Sequence, residues 1–173
     1  MLGIRGFDVI PADVDETVPE LTPAEAVMFL AREKARKVAE SREEDALIIA
    51  ADTLVYLDGA PLGKPETEQE AKSMLRRLSG NRHTVYTGVA VIKNEEETAF
   101  AEETDVFFRE LLEEEIDAYI RTGEPMDKAG AYGAQGIGAV FIRRIEGDFF
   151  NVMGLPVCRL VTELRRFGLN LPA

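Results

Sequence analysis

Cysteine and histidine are nearly absent from this chain: its 173 residues include one of each, Cys158 and His83. A single cysteine allows no intrachain disulfide and no cysteine-based zinc site. A single histidine leaves little room for Ser-His nucleophilic catalysis or a histidine metal cluster. Basic residues are outnumbered, 20 Lys and Arg against 32 Asp and Glu, for a formal net charge of −12. That balance argues against a general nucleic-acid or anionic-membrane surface. A polyanionic ligand would need local lysines, a divalent metal, or both. No apolar run reaches membrane-spanning length and no signal peptide is evident, so the expectation is a cytoplasmic protein without a membrane partner. Linkers, repeats and low-complexity tracts are missing too. What remains is ordinary for a globular chain, 46% hydrophobic and 30% charged. Its length fits one domain, or one two-lobed domain, with a sizeable core.

Helix and strand signals alternate along the chain. Thr22, Pro23 and Glu25 form a helix start, and Val27, Leu30, Ala31, Ala35 and Val38 recur at helical spacing to about residue 40. Residues 46–57 read as one strand or two short ones, ending at a hairpin-type turn, Asp58-Gly59. Thr67 with Glu70 opens a second helix that Gly80 stops. Strands are expected over 84–92 and 98–108, a helix over 112–121, a strand over 139–145 and a last helix from Pro156 to near Gly168. Phe7 to Ile10 also reads as a strand, and the "MLGIRG" before it as the tail of a helix-loop connection. The pattern predicts a mixed α/β sheet covered by helices.

Several residues carry possible chemistry. Asp52 ends a buried apolar run, which is costly unless the carboxylate is paired, hydrated or metal-bound. It reads either as a turn cap or as a metal ligand or general base at a sheet edge. Lys64 lies between Gly63 and Pro65, as a plain surface lysine or as a phosphate contact. The segment is no P-loop, since Pro65 follows the lysine and Asp58 stands where the first glycine belongs. Residues 133–138 run GxxGxG and precede a strand, so a dinucleotide fingerprint fails. That loop is either ordinary or a cradle whose backbone N–H groups face a ligand, with the Gln135 amide able to read a base edge. Asp13, Asp15 and Glu16 are a solvated acidic cluster or Mg²⁺ ligands. Lys34 equally suits a solvated helix face. His83 and the Phe149-Phe150 pair read as structural, and Cys158 as a buried core thiol beside Val157 and Leu160.

The segments "DVDE", "LAREKA", "AADTLVYLDGAPLGKP", "MLRRLSGNRHTVYTGV" and "DKAGAYGAQGIGAVFIRRIEGDFFNVMGLP" resemble, in order and over nearly the whole chain, the successive signatures of the Maf family. These are nucleoside triphosphate pyrophosphatases, historically called septum-formation inhibitors. The resemblance implies a fold similar to inosine triphosphate pyrophosphatase, with a long, curved mixed sheet flanked by helices and two lobes around a cleft. "DKAGAYGAQG" resembles the branch acting on dTTP and UTP. By the same resemblance Asp52 matches the proton acceptor, and Thr53 and Gln135 match positions linked to base selectivity. Glu16, Lys34 and Lys64 match residues that handle metal and phosphates, with Glu16 and Asp52 as ligands of Mg²⁺ or Mn²⁺. The expected partners are a nucleoside triphosphate and a second copy of the chain, with no nucleic acid. Family members open with a strand and an Ala-Ser-x-Ser-Pro-Arg-Arg phosphate loop. No such motif occurs here, so residues 1–173 are expected to be a single domain lacking that strand and loop. The rival expectation is a catalytically weak regulatory binder in cell division and septum formation.

Overall fold

The computed structural model describes residues 6–42 and 45–171. Among these residues five strands form one sheet in the order β2-β1-β3-β4-β5, where β1 is Ile48–Leu57, β2 Ala60–Leu62, β3 Arg82–Lys93, β4 Glu96–Phe108 and β5 Ile142–Glu146. The helices are α1 (Pro23–Ala39), α2 (Glu68–Leu78), α3 (Glu113–Ile120), α4 (Phe149–Val152) and α5 (Val157–Leu164). This is an α/β fold with a helix-flanked sheet, as the sequence pattern predicts. Contacts divide the chain into two units: Met1–Asp52, Thr87–Glu102 and Gly154–Ala173 in the first, Thr53–Tyr86 and Glu103–Met153 in the second. The division falls within β1, β3 and β4.

In the first unit, strand periodicity buries both sheet faces. Val89, Val91, Ile49 and Ala51 pack with Leu160, Leu164 and Phe167 of the α5 region. The alternate residues Ala90, Ile92, Ile48 and Ala50 pack with Ala31 and Ala35 of α1. Small residues bring that helix close. A Cβ on Gly88 of β3 would lie 2.2 Å from the backbone oxygen of Val27, so only glycine fits there. α1 starts as expected: the Thr22 hydroxyl accepts from Glu25 N–H while the Glu25 carboxylate accepts from Thr22 N–H.

In the second unit, Val55, Leu57, Val85, Val106 and Phe108 line one core with α2 and α3, through Leu75, Leu78, Ile116 and Tyr119. The β1–β2 hairpin turns at Asp58 (φ 53°) and Gly59 (φ 77°), the left-handed pair that a type I′ turn requires. Thr67 caps α2 through Glu70 N–H, but Glu70 reaches back to Glu66 N–H, so the capping box is only half made.

Four local expectations need correction. Residues 7–10 form no strand: Phe7 and Val9 are 68% and 82% exposed, and among the described residues no strand pairs with them. Strand-type residues alone do not make a strand. The "MLGIRG" expectation falls on residues 1–5, outside the described residues, apart from Gly6. The segment expected as a strand from residue 139 is a 3₁₀ turn over Ile137–Phe141, and β5 begins at Ile142. Cys158 is exposed, not buried. The apolar stripe of α5 follows Leu160 and Leu164, and two residues back along a helix is a rotation of about 200°. Phe149 is also exposed, and stacks edge-on with Phe150 instead of filling the core.

Candidate functional site

Strand alternation sets the first cluster. Residues 48, 50 and 52 share the β1 face that α1 covers, so Asp52 points toward that helix. There the Lys34 ammonium donates to Asp52 Oδ1 at 2.5 Å and pairs with Glu16 Oε1 at 2.9 Å. Asp52 is 9% exposed, and Lys34 is half-buried beside it. Burial acts to lower the Lys34 pKa, but the hydrogen bonds and charges of Asp52 and Glu16 outweigh it and hold the ammonium raised. Lys34 is therefore a fixed cation near neutral pH. Lys34 is thus a half-buried, doubly ion-paired helix residue and not a freely solvated one.

A divalent cation was expected at Glu16 and Asp52. These two carboxylates, from separate segments, converge on one positive charge. Such oxygen donors suit Mg²⁺ or Mn²⁺, which take one or two protein carboxylates and complete their shell with phosphate oxygens and water. Among the described residues no three His, Cys, Asp or Glu side chains gather as a closed metal cage. The two carboxylates present fit an oxygen-ligated divalent cation whose remaining ligands would come from outside the protein.

Thr53, Lys64 and Gln135 belong to the second unit. Thr53 follows Asp52 on β1 and so takes the opposite strand face, half-buried. Lys64 is exposed, on a turn that Gly130 N–H fastens by donating to Gly63 O at 3.0 Å. Its charge reaches Asp127, whose carboxyl is lowered chiefly by the Lys128 hydrogen bond and further by Lys64. The GxxGxG loop, residues 133–138, adjoins this segment, with Gln135 exposed on it.

The backbone donors of that loop serve its own protein. The Glu124 carboxylate accepts from Ile137 N–H at 2.9 Å and Gly138 N–H at 3.0 Å. The Tyr119 hydroxyl donates to Glu124 at 2.9 Å and accepts from Gly133 N–H at 3.0 Å. The 3₁₀ turn that follows, in which Ala139 N–H donates to Gly136 O and Ile142 N–H to Ala139 O, brings the chain to the start of β5. Glu124 and Tyr119 escape sequence reasoning. The one available signal was a glutamate nine residues ahead of a glycine loop that lacks a ligand-binding fingerprint.

His83 is structural, as expected. It is 2% exposed, its Nε2 lies 2.8 Å from the Tyr132 hydroxyl, and burial presses its pKa down to about 4.

A family model described as "Maf-like protein" matches residues 1–167. A protein of Bacillus cytotoxicus named "dTTP/UTP pyrophosphatase" is 52% identical over 162 residues, 93% of this chain and 84% of that protein. Proteins of the same name from Bacillus cereus strain ZK / E33L and Bacillus thuringiensis subsp. konkukian are 49% and 48% identical, each over 95% of this chain and 86% of their own length.

Proposed function

This chain belongs to the Maf-like protein family, and on that premise we propose that it hydrolyses nucleoside triphosphates, dTTP and UTP foremost, to the monophosphate and pyrophosphate. The names of its relatives support the reaction and substrates. Modified pyrimidine nucleotides belong to the same substrate class. The observation that carries the chemistry is Asp52 held against the Lys34 ammonium at 2.5 Å.

Water attacks the α-phosphorus. Its oxygen bonds to phosphorus, the bond to the bridging oxygen of the β-phosphate breaks, and pyrophosphate leaves. The Asp52 carboxylate takes the water's proton, oriented by Lys34. Lys64 meets the phosphate chain and offsets its charge. Thr53 and Gln135 select the base. Glu16 and Asp52 would hold a divalent metal, which neutralises charge developing on phosphate oxygens. That neutralisation reconciles a tetra-anionic substrate with a net charge of −12. A homodimer in the cytoplasm, with no nucleic-acid partner, completes the reading.

The test is product analysis with dTTP, UTP, CTP and GTP, with and without Mg²⁺. Equal molar amounts of monophosphate and pyrophosphate, with dTTP and UTP preferred, are expected. Orthophosphate as the first product would reject the α-phosphorus as the point of attack. Tight nucleotide binding without turnover would favour a regulatory binder.

A further inference from the structure

We infer that Glu124 is a positioning residue for base selection: its carboxylate holds the 133–138 loop so that Gln135 is presented in one place. The inference rests on the proposal that Gln135 reads the base, and adds what makes such reading possible. An exposed amide on a glycine-rich loop discriminates poorly if the loop samples many shapes, because each glycine widens the accessible backbone range. Here the loop is closed around a side chain. Glu124 takes the N–H groups of Ile137 and Gly138, and Tyr119 relays the same anchor to Gly133. Gln135 lies between the anchored residues.

The glycines are explained by this contact. A Cβ on Gly136 would fall 2.4 Å from Glu124 Oε1, and one on Gly138 would fall 2.7 Å from the Tyr119 hydroxyl. Gly136 is in extended backbone, so its requirement is space, not a left-handed φ. Burial tends to raise the Glu124 pKa, but the two loop N–H groups and the Tyr119 hydroxyl overcome it and hold the group ionised. An ionised carboxylate accepts all three hydrogen bonds, whereas an amide turns a donor toward one of them. A glutamine here therefore keeps the shape and breaks the clamp.

The experiment compares Glu124→Gln, Gln135→Ala and the double variant, with Tyr119→Phe as a milder probe that keeps the ring. Two readouts are taken: the ratio of kcat/KM for dTTP over GTP, and amide hydrogen exchange at Ile137 and Gly138. Glu124→Gln should lower the ratio about tenfold or more, and the double variant should match Gln135→Ala alone. Exchange at both amides should quicken about tenfold in Glu124→Gln and stay at the parent rate in Gln135→Ala. Tyr119→Phe should move both readouts the same way by less. Unchanged exchange in Glu124→Gln overturns the clamp, whatever the activity. An unchanged ratio in Glu124→Gln, beside a lowered one in Gln135→Ala, overturns the inference while base reading by Gln135 stands. An unchanged ratio in Gln135→Ala rejects the base-reading proposal itself, and this inference with it. Additive losses in the double variant would show that Glu124 acts on selectivity by another route, and also overturn it.

Discussion

Lys34 Nζ lies 2.5 Å from Asp52 Oδ1 and 2.9 Å from Glu16 Oε1, so one ammonium on α1 ties a strand carboxylate to a carboxylate from the segment before that helix. Strand parity and close helix packing produce this relationship. Asp52 shares its β1 face with Ile48 and Ala50, and Ala31 and Ala35 let α1 settle against that face.

Replacing Lys34 by alanine should leave Asp52 buried without its cation. Removing one member of a buried pair costs about 3 kcal/mol or more; the partial exposure of Lys34 puts this pair at the low end. Urea unfolding of Lys34→Ala should show that loss together with a large fall in turnover. A cost below about 1 kcal/mol, the range of surface pairs, would mean the pair is effectively solvated.

Gly88→Ala should disturb the same cluster from a distance. The new Cβ would meet the Val27 carbonyl at 2.2 Å, and backbone cannot rotate aside as a side chain does. Overpacking of this kind costs about 3 kcal/mol, and the displaced α1 would carry Lys34 away from Asp52. A variant with parent-like melting temperature and activity would contradict the close approach of α1 to β3.

Lys64→Ala should act on substrate binding. Loss of one charge-assisted contact to phosphate, about 1.4 kcal/mol or more, predicts a rise of about tenfold in KM for dTTP with kcat little changed. Inhibition by thymidine monophosphate should weaken far less. Equal weakening for the triphosphate and the monophosphate would remove Lys64 from the phosphate chain.

His83 sets a pH dependence of stability. Its folded pKa, about 4, lies below the ordinary 6.5, chiefly through burial. Between those values the unfolded chain binds a proton that the folded chain refuses. The contribution is therefore complete above pH 6.5 and is lost as pH falls toward 4, by about 3 kcal/mol at most. Chemical denaturation at stepped pH should show this slope, and His83→Phe should flatten it, although it orphans the Tyr132 hydroxyl. Parallel slopes for parent and variant would mean that other groups carry the effect.

Local chemistry was legible wherever one short stretch decided it. Thr22 to Glu25 announced α1, and Asp58-Gly59 announced the hairpin, because caps and turns are settled within a few residues. An apolar run leading into Asp52 pointed to a paired or liganded carboxylate, although Asp52 lies in the middle of β1 and not at a strand end. Its partner was not legible: Lys34 stands 18 residues earlier, and only strand parity and a close helix bring it there. Residues 139–141 misled for a different reason. Their apolar run suits a strand, but they close a 3₁₀ turn in which Ala139 N–H donates to Gly136 O, and β5 starts only at Ile142. Cys158 looked buried from its neighbours because sequence adjacency on a helix says little about facing.

Pyrophosphate release from dTTP by Asp52→Asn, beside the parent protein, tests the central claim most directly. The change keeps the side chain's shape and removes its charge. Loss of a general base alone lowers rates by about 10²–10⁴, and a fall of at least that size is expected, with the fold intact by circular dichroism. Turnover within a few-fold of the parent, from a folded variant, would contradict the assignment of Asp52 as the proton acceptor.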